Sequence, residues 1–293
     1  MSYDFLTNDI MAQTAAAIRH CENSTTQIAP KDFAQHIRDL GRWQPLNFYM
    51  PNGGTITLTK TGSPTEVTLE YSTDNCATWT TWVEDNGVRT LTLAAGGKMY
   101  VKNTSGTNTG FSTGYNDDYY TFAFSDNTYA SGDLKSLLCK DSGTTYLPSY
   151  CFANLFRYAN KLISAPYIRV GNVNNRSLYY CFGSCSSLKY VPKIEINTFS
   201  DTYSCQNMFG SCTSLEAIHL TTKILNAASY YYTFSDCSSL KKVVTEMTDI
   251  SASNCIYRWL RNVSATGDIY CDQNLTIPTG ESGIPSGWTR HDL

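Results

Sequence analysis

The stretch Ser204–Leu220, SCQNMFGSCTSLEAIHL, decides how this chain is read, because it recurs. YCFANLFRYANKLISAPYI from Tyr150, SLYYCFGSCSSLKYVPKI from Ser177 and SYYYTFSDCSSLKKVV from Ser229 align with it on Phe156, Phe182, Phe209 and Phe234, at separations of 26, 27 and 25. Three residues after each Phe stand Ala159, Cys185, Cys212 and Cys237; six after stand Leu162, Leu188, Leu215 and Leu240; four before stand Phe152, Leu178, Cys205 and Tyr230. Leu260 takes the Phe place 26 residues further on, behind Ile256, and the register then decays as a capping layer should. Units of this length cannot bury their apolar faces alone, so the period predicts stacking of each unit on the next. The expected result is a ladder of Phe, Cys and Leu, in which full burial of one Phe or Leu contributes about 1.5–3 kcal/mol. Extended stretches follow each Leu at Ala165–Ile168, Tyr190–Ile194, Ala217–Leu220 and Lys242–Val244. Their spacing fits a parallel sheet at about 4.8 Å per layer.

MFGSCTSLEAI, CFGSCSSLKYVP and TFSDCSSLKKV closely resemble the BspA-like class of leucine-rich repeat, whose core is Met-Phe-x-x-Cys-x-Ser-Leu. The resemblance covers residues 148 to 271, and the tail GIPSGWTRHDL also fits it. It implies a leucine-rich-repeat solenoid with a carboxy-terminal cap over 131–293. Tyr158-Ala159 replaces the Cys-containing step in the first unit, and His219 and Val244 replace Pro in later ones.

Between Leu46 and Phe124 the hydrophobic period is two. Thr55–Thr59, Val67–Tyr71, Val88–Leu93, Met99–Val101 and Tyr120–Phe124 alternate or are β-branched, and Asn52-Gly53-Gly54, Gly62-Ser63-Pro64, Asn86-Gly87 and Gly96-Gly97 punctuate them. Short antiparallel strands at this spacing predict a small β-sandwich at 44–130. Within it, Ser72-Thr73-Asp74-Asn75-Cys76-Ala77-Thr78-Trp79 resembles the Asp-box hairpin, Ser-x-Asp-x-Gly-x-Thr-Trp, with Cys76 in the Gly place. That resemblance implies an Asp that ties down turn amides with Trp79 packed beneath. Sialidases repeat the motif around a propeller; one copy here implies a structural turn. Residues 46–102 also match the amino-terminal sandwich of a BspA-like variant resembling proteins of gut Bacteroidales and their phages.

Residues 1–43 read as two helices. Ile10, Met11, Ala17 and Ile18 make one stripe, and Ala29-Pro30-Lys31-Asp32 opens a second helix carrying Phe33, Ile37 and Leu40 at i, i+4 and i+7 before Gly41. A hairpin this small buries little, so it is expected to be an assembly module, with Ile10, Ile18, Phe33, Ile37 and Leu40 as its contacts. LTNDIMAQTAAAIRH and IAPKDFAQHIRDL resemble a helical segment recurrent in bacteriophage tail and tail-fibre proteins.

The overall expectation is a mainly β chain with some α: an N-terminal helical hairpin, a small antiparallel β-sandwich and a C-terminal leucine-rich-repeat solenoid. Lys+Arg 22 against Asp+Glu 25 gives a net charge of -3, which argues against nucleic acid as a partner. No run approaches the length of a membrane span, and MSYDFLTNDIMAQTAAAIRH has no apolar export core, so membrane insertion and export are not expected. An odd count of 11 cysteines in a chain of 293 residues points to reduced thiols rather than a disulfide framework.

Catalytic chemistry is not legible. Cys181, Cys185, Cys205, Cys212 and Cys237 recur one or two per unit as small hydrophobes rather than in paired metal-ligand spacings, and His20, His36, His219 and His291 are scattered. Glu195, Asp201, Glu216, Asp236, Glu246, Asp249 and Asp268 give no distinguishable acid–base pair. No catalytic residue, metal or cofactor is therefore expected.

The positive feature is tyrosine. Tyr179, Tyr180, Tyr203, Tyr230, Tyr231 and Tyr232 precede the ladder Phe, while Tyr167 and Tyr190 lie in the extended segments with Lys193 and His219. Tyr joins contact area to a polar tip at small entropy cost, so Tyr167, Tyr190, Lys193, His219, Tyr179, Tyr203 and Tyr231 are the candidate binding surface. The function expected is that of a non-enzymatic bacteriophage virion protein of the tail or its appendages, made in the host bacterial cytoplasm. Its residues 1–43 would join other tail proteins, its repeat region would bind a host-surface protein or glycan, and it would assemble as a homo-oligomer. The alternatives are a bacterial cell-surface BspA-like adhesin and, third, a glycan-degrading enzyme.

Overall fold

The structure is a computed structural model describing residues 44–104, 110–114, 117–138 and 145–293. The helical hairpin expected at 1–43, with its contacts Ile10, Ile18, Phe33, Ile37 and Leu40, lies outside the described residues. Pro45–Leu293 forms one compact unit.

Sixteen strands are described. The first eight are β1 (Leu46–Met50), β2 (Gly54–Thr61), β3 (Leu69–Ser72), β4 (Thr80–Thr81), β5 (Val88–Leu93), β6 (Gly97–Asn103), β7 (Tyr119–Phe124) and β8 (Thr128–Ser131). Then come β9 (Tyr146–Leu147), β10 (Leu162–Ser164), β11 (Arg169–Val173), β12 (Glu195–Phe199), β13 (Ala217–Leu220), β14 (Lys242–Thr245), β15 (Gly267–Cys271) and β16 (Trp288–Asp292). They form sheets of order β10-β8-β1-β6-β3-β4, β5-β2-β7, β12-β11-β9 and β13-β14-β15-β16.

Strand β1 sits between β6 and β8, and all five of its residues are buried. That explains why its LNFYM sequence shows no alternation: it has no solvent face. Phe48 on β1 meets Phe122 and Phe124 on β7 at ring-centroid distances of 5.0 and 5.1 Å, so the first two sheets are held together through these rings.

After residue 145 each repeat folds into a layer of consecutive turns. In the first layer the N–H groups of Ala153, Leu155, Arg157 and Ala159 donate to carbonyls three residues back. Those of Phe152, Asn154, Phe156 and Tyr158 donate instead to Ser177, Tyr179, Cys181 and Gly183 in the next layer. Alternate amides thus close turns and stitch layers, leaving no donor of this run unpaired in the interior. The scheme repeats with Leu178 to Ser204, Cys205 to Ser229 and Tyr230 to Cys255. Every fourth residue takes a left-handed backbone, beginning with Tyr150, Asn154 and Tyr158 at φ 61, 62 and 64°.

The ladder rings stack at 5.1 Å (Phe156–Phe182), 5.2 Å (Phe182–Phe209) and 5.6 Å (Phe209–Phe234), with interplanar angles of 2, 8 and 6°. Phe122 of β7 continues the column, 5.2 Å from Phe156. Trp259 closes the other end edge-on against Phe234 at 6.4 Å, beside the buried Leu260. Thiols of Cys185, Cys212 and Cys237 donate to the carbonyls of Phe156, Phe182 and Phe209, one layer back, at 2.9, 3.1 and 3.0 Å. Ala159, Leu162, Leu188, Leu215 and Leu240 are buried beside them. One hydrophobic core runs from Leu46 to Trp288.

These facts correct the expected fold class. The described residues contain no α-helix, and their sole helical piece is the 3-10 turn Leu134–Leu137. The repeat does not form a single leucine-rich-repeat solenoid, because its parallel strands are shared among three sheets, one of them the sheet that contains β1. Proline supplies the physical reason. Ala165–Ile168 and Tyr190–Ile194 contain Pro166 and Pro192, which have no N–H to donate, and these segments make only isolated bridges rather than strands. Only Ala217–Leu220 and Lys242–Thr245, which lack Pro, pair as the expected parallel strands.

Candidate functional site

The tyrosines and arginines of the turn layers build a ridge. Arg157 lies with its guanidinium carbon 4.9 Å from the Tyr158 ring centroid and 4.3 Å from that of Tyr180, and Tyr180 meets Tyr179 at 4.7 Å. Arg176 stands 4.8 Å from Tyr203, which contacts Tyr231 at 5.4 Å. Tyr231 stacks on Tyr257 of the following layer at 4.9 Å and 22°. Tyr232 touches Tyr231 and Tyr257 at 4.9 and 5.6 Å, and its hydroxyl accepts a 2.9 Å bond from Arg258. Each such cation–π contact contributes about 0.5–1 kcal/mol where exposed. Tyr158 is exposed and the other rings are half-buried.

Local backbone sets this arrangement. Tyr158, Tyr180, Tyr203, Tyr232, Arg176 and Arg258 all occupy the left-handed positions of their layers, with φ between 47 and 64°. Interlayer hydrogen bonds from the amides of Tyr158, Tyr180 and Tyr232 to Gly183, Gln206 and Tyr257 fix their backbones, so this part of the ridge is preorganised. Burial pushes the Tyr180 and Tyr231 hydroxyls above the usual tyrosine range, which keeps these phenols protonated donors.

The expected binding residues fall into two groups. Tyr179, Tyr203 and Tyr231 belong to the ridge. Tyr167, Tyr190, Lys193 and His219 lie instead along the extended segments, where charges largely satisfy one another. Arg169 pairs with Glu195 at 2.8 Å and sits 6.0 Å from the Tyr167 ring, while Lys193 and His219 approach Glu246 at 3.5 and 3.4 Å. Burial, reinforced by the Lys193 charge, pushes the His219 imidazole below its ordinary range despite Glu246.

Tyr230 is a correction to the tyrosine-rich surface. It is 1 % exposed, edge-on to Phe199 at 5.2 Å, and its hydroxyl is 3.1 Å from that of Thr222. Arg157, Arg176, Tyr257 and Arg258 were not expected. The only signal for the arginines in the sequence is that each is adjacent to, or one unit away from, a ridge tyrosine.

The Asp-box segment forms a tied turn. Thr78 donates its N–H and hydroxyl to the Asp74 carboxylate at 3.0 and 2.6 Å, and the Ser72 hydroxyl donates at 2.6 Å. These donors, Ser72 foremost, hold the Asp74 carboxyl down to about 2. Trp79 is only half-buried, under the Lys102 ammonium at 3.9 Å; Trp82 fills the core instead.

Among the described residues no group of three or more His, Cys, Asp or Glu side chains is arranged to hold a metal ion. No helix among them is long and apolar enough to cross a membrane. No family model, curated protein or solved structure matches this chain.

Proposed function

We propose that this chain is a non-enzymatic virion protein of a bacteriophage tail or tail appendage, and that its layered region binds a glycan on the host surface. The tail assignment is supported by the likeness of LTNDIMAQTAAAIRH and IAPKDFAQHIRDL to phage tail segments and by the BspA-like repeat motif. The binding assignment is supported by the ridge.

One observation carries it. Tyr150, Tyr158, Tyr180, Tyr203, Tyr232, Arg176 and Arg258 hold a left-handed backbone, which costs a bulky residue about 1–3 kcal/mol. Asn takes that conformation more readily and does occupy equivalent places at Asn154, Asn207, Asn254 and Asn262. Ser184, Ser211, Ala228 and Asp236 hold the other such places, so small or short polar residues suffice where only the fold is served. Rings and guanidinium groups placed there against local preference are what a recognition surface requires. Flat tyrosine faces pack on the C–H faces of sugars, while phenols and guanidinium groups hydrogen-bond sugar hydroxyls.

The test has two arms. Mass spectrometry of purified phage particles should detect this chain, and its absence removes the tail assignment. Fluorescently labelled protein should stain host cells, losing its target after periodate oxidation of surface glycans but not after protease treatment. Loss after protease alone would replace the glycan with a protein receptor.

A further inference from the structure

The cation at one end of the ridge indicates which kind of glycan it takes. Two cations of this region have carboxylate partners: Arg258 pairs with Glu281 at 3.1 Å and Arg169 with Glu195 at 2.8 Å. Arg157 differs. Its Nη1 donates only to the neutral Asn154 Oδ1, at 3.2 Å, and no carboxylate among the described residues lies within ion-pair distance. Nη2 has no hydrogen-bond partner among the described residues, and Nε is buried without one. The guanidinium is flanked by the Tyr158 and Tyr180 rings at 4.9 and 4.3 Å, so it is fixed in place without being neutralised.

The buried Nε–H is unsatisfied as it stands, whereas the Nη2 end of the half-buried side chain is left open to solvent and to a ligand. The geometry points to a carboxylate-bearing glycan: the Nη2 end of Arg157, held by the Tyr158 and Tyr180 rings, takes the carboxylate of an acidic sugar beside the exposed Tyr158. This inference rests on the glycan-binding reading above and narrows it to acidic sugars.

Binding of the full chain to oligogalacturonate, hyaluronan fragments and polysialate is measured by calorimetry, each beside its carboxyl-reduced counterpart, with sulfated dextran as a charge control. At least one acidic glycan should bind, and its carboxyl-reduced form should bind about tenfold or more weakly, as loss of one charge-assisted contact implies. Arg157→Gln should lower affinity for the acidic form to a similar degree and affect the reduced form much less, so that the variant binds the two forms about equally. Arg157→Lys should restore part of the loss, since it keeps the charge without the planar stack. Thermal melts of both variants show whether the fold is intact.

Equal binding of acidic and reduced glycans overturns the acidic assignment while leaving glycan binding intact. Equal binding of sulfated dextran overturns it too, because charge alone would then explain the affinity. Binding to none of the panel overturns the inference, and only the additional loss of periodate-sensitive cell staining overturns the reading beneath it.

Discussion

The Cys212 thiol donates to the Phe182 carbonyl one layer back at 3.1 Å, directly beside the point where the Phe182 and Phe209 rings stack at 5.2 Å. The layers of Phe156, Phe182, Phe209 and Phe234 are therefore joined to one another in three ways: by backbone amides, by a stacked ring and by a sulfur. Burial pushes the Cys212 thiol well above the ordinary cysteine range, so it remains a neutral donor.

Removing parts of this joint should have graded effects. Cys212→Ala deletes a weak hydrogen bond and a small volume and is expected to cost about 1–2 kcal/mol. Phe209→Ala opens a ring-sized void between two stacked partners and is expected to cost about 3–5 kcal/mol. Urea unfolding followed by tyrosine and tryptophan fluorescence measures both; equal costs would refute a column in which the ring dominates.

The same burial protects the sulfurs from chemistry. Cys151, Cys181, Cys205, Cys212 and Cys237 are fully buried, and desolvation raises every one of their pKa values. Thiolate is the reactive form, so these residues should resist iodoacetamide at pH 8 in the native protein and react once urea unfolds it. Peptide mass spectrometry assigns the labelled sites. Labelling of Cys181 or Cys212 in native protein within minutes would contradict the packing described.

Much of this column was legible in the sequence, because Phe156, Phe182, Phe209 and Phe234 recur with a companion at +3 and Leu at +6. What lies between them was not. Left-handed turns normally announce themselves through Gly or Asn, but here Tyr158, Tyr180 and Tyr232 occupy such positions, and interlayer hydrogen bonds from their amides override the local preference. The divided sheets were hidden because Pro166 and Pro192 read as acceptable in an extended segment yet remove the donors that a continuous ladder needs. Arg157 and Arg176 carried no signal beyond their place beside, or one unit away from, a ridge tyrosine, since a lone arginine in a turn is ordinarily solvated surface.

The Asp-box turn offers a test of both backbone and charge. Cys76 stands in the motif's Gly place with φ 69°, so Cys76→Gly should relieve the left-handed strain and raise stability by about 1 kcal/mol. Asp74 has a folded pKa of about 2 against an ordinary 3.8, so its contribution is fully present above 3.8 and is lost as pH falls through about 2. Asp74→Asn should therefore destabilise the protein at pH 7 and flatten that acid limb. Melting temperatures between pH 2 and 7 report the difference; parallel curves for wild type and variant would show that the turn carries no such charge.

The ridge should display a conflict between stability and binding. Tyr232 has φ 54°, contacts Tyr231 and Tyr257, and accepts a bond from Arg258. Tyr232→Asn places a residue tolerant of that backbone at the same position, recovering about 1 kcal/mol of conformational strain, but it forfeits two ring contacts of about 0.5–1.5 kcal/mol each. Fold stability should fall by no more than about 2 kcal/mol, since these terms oppose one another. Glycan affinity should fall more steeply, because Asn replaces neither the ring face nor the hydroxyl that orients Arg258. Asn207→Tyr tests the converse at the equivalent place one layer earlier: there a ring adds strain to a left-handed backbone that Asn tolerates, so stability should drop. Melting temperature and cell-surface binding, measured on the same preparations, decide the matter. Loss of both in proportion for Tyr232→Asn would mean that the tyrosine serves the fold, and the recognition role of the ridge would fall with it.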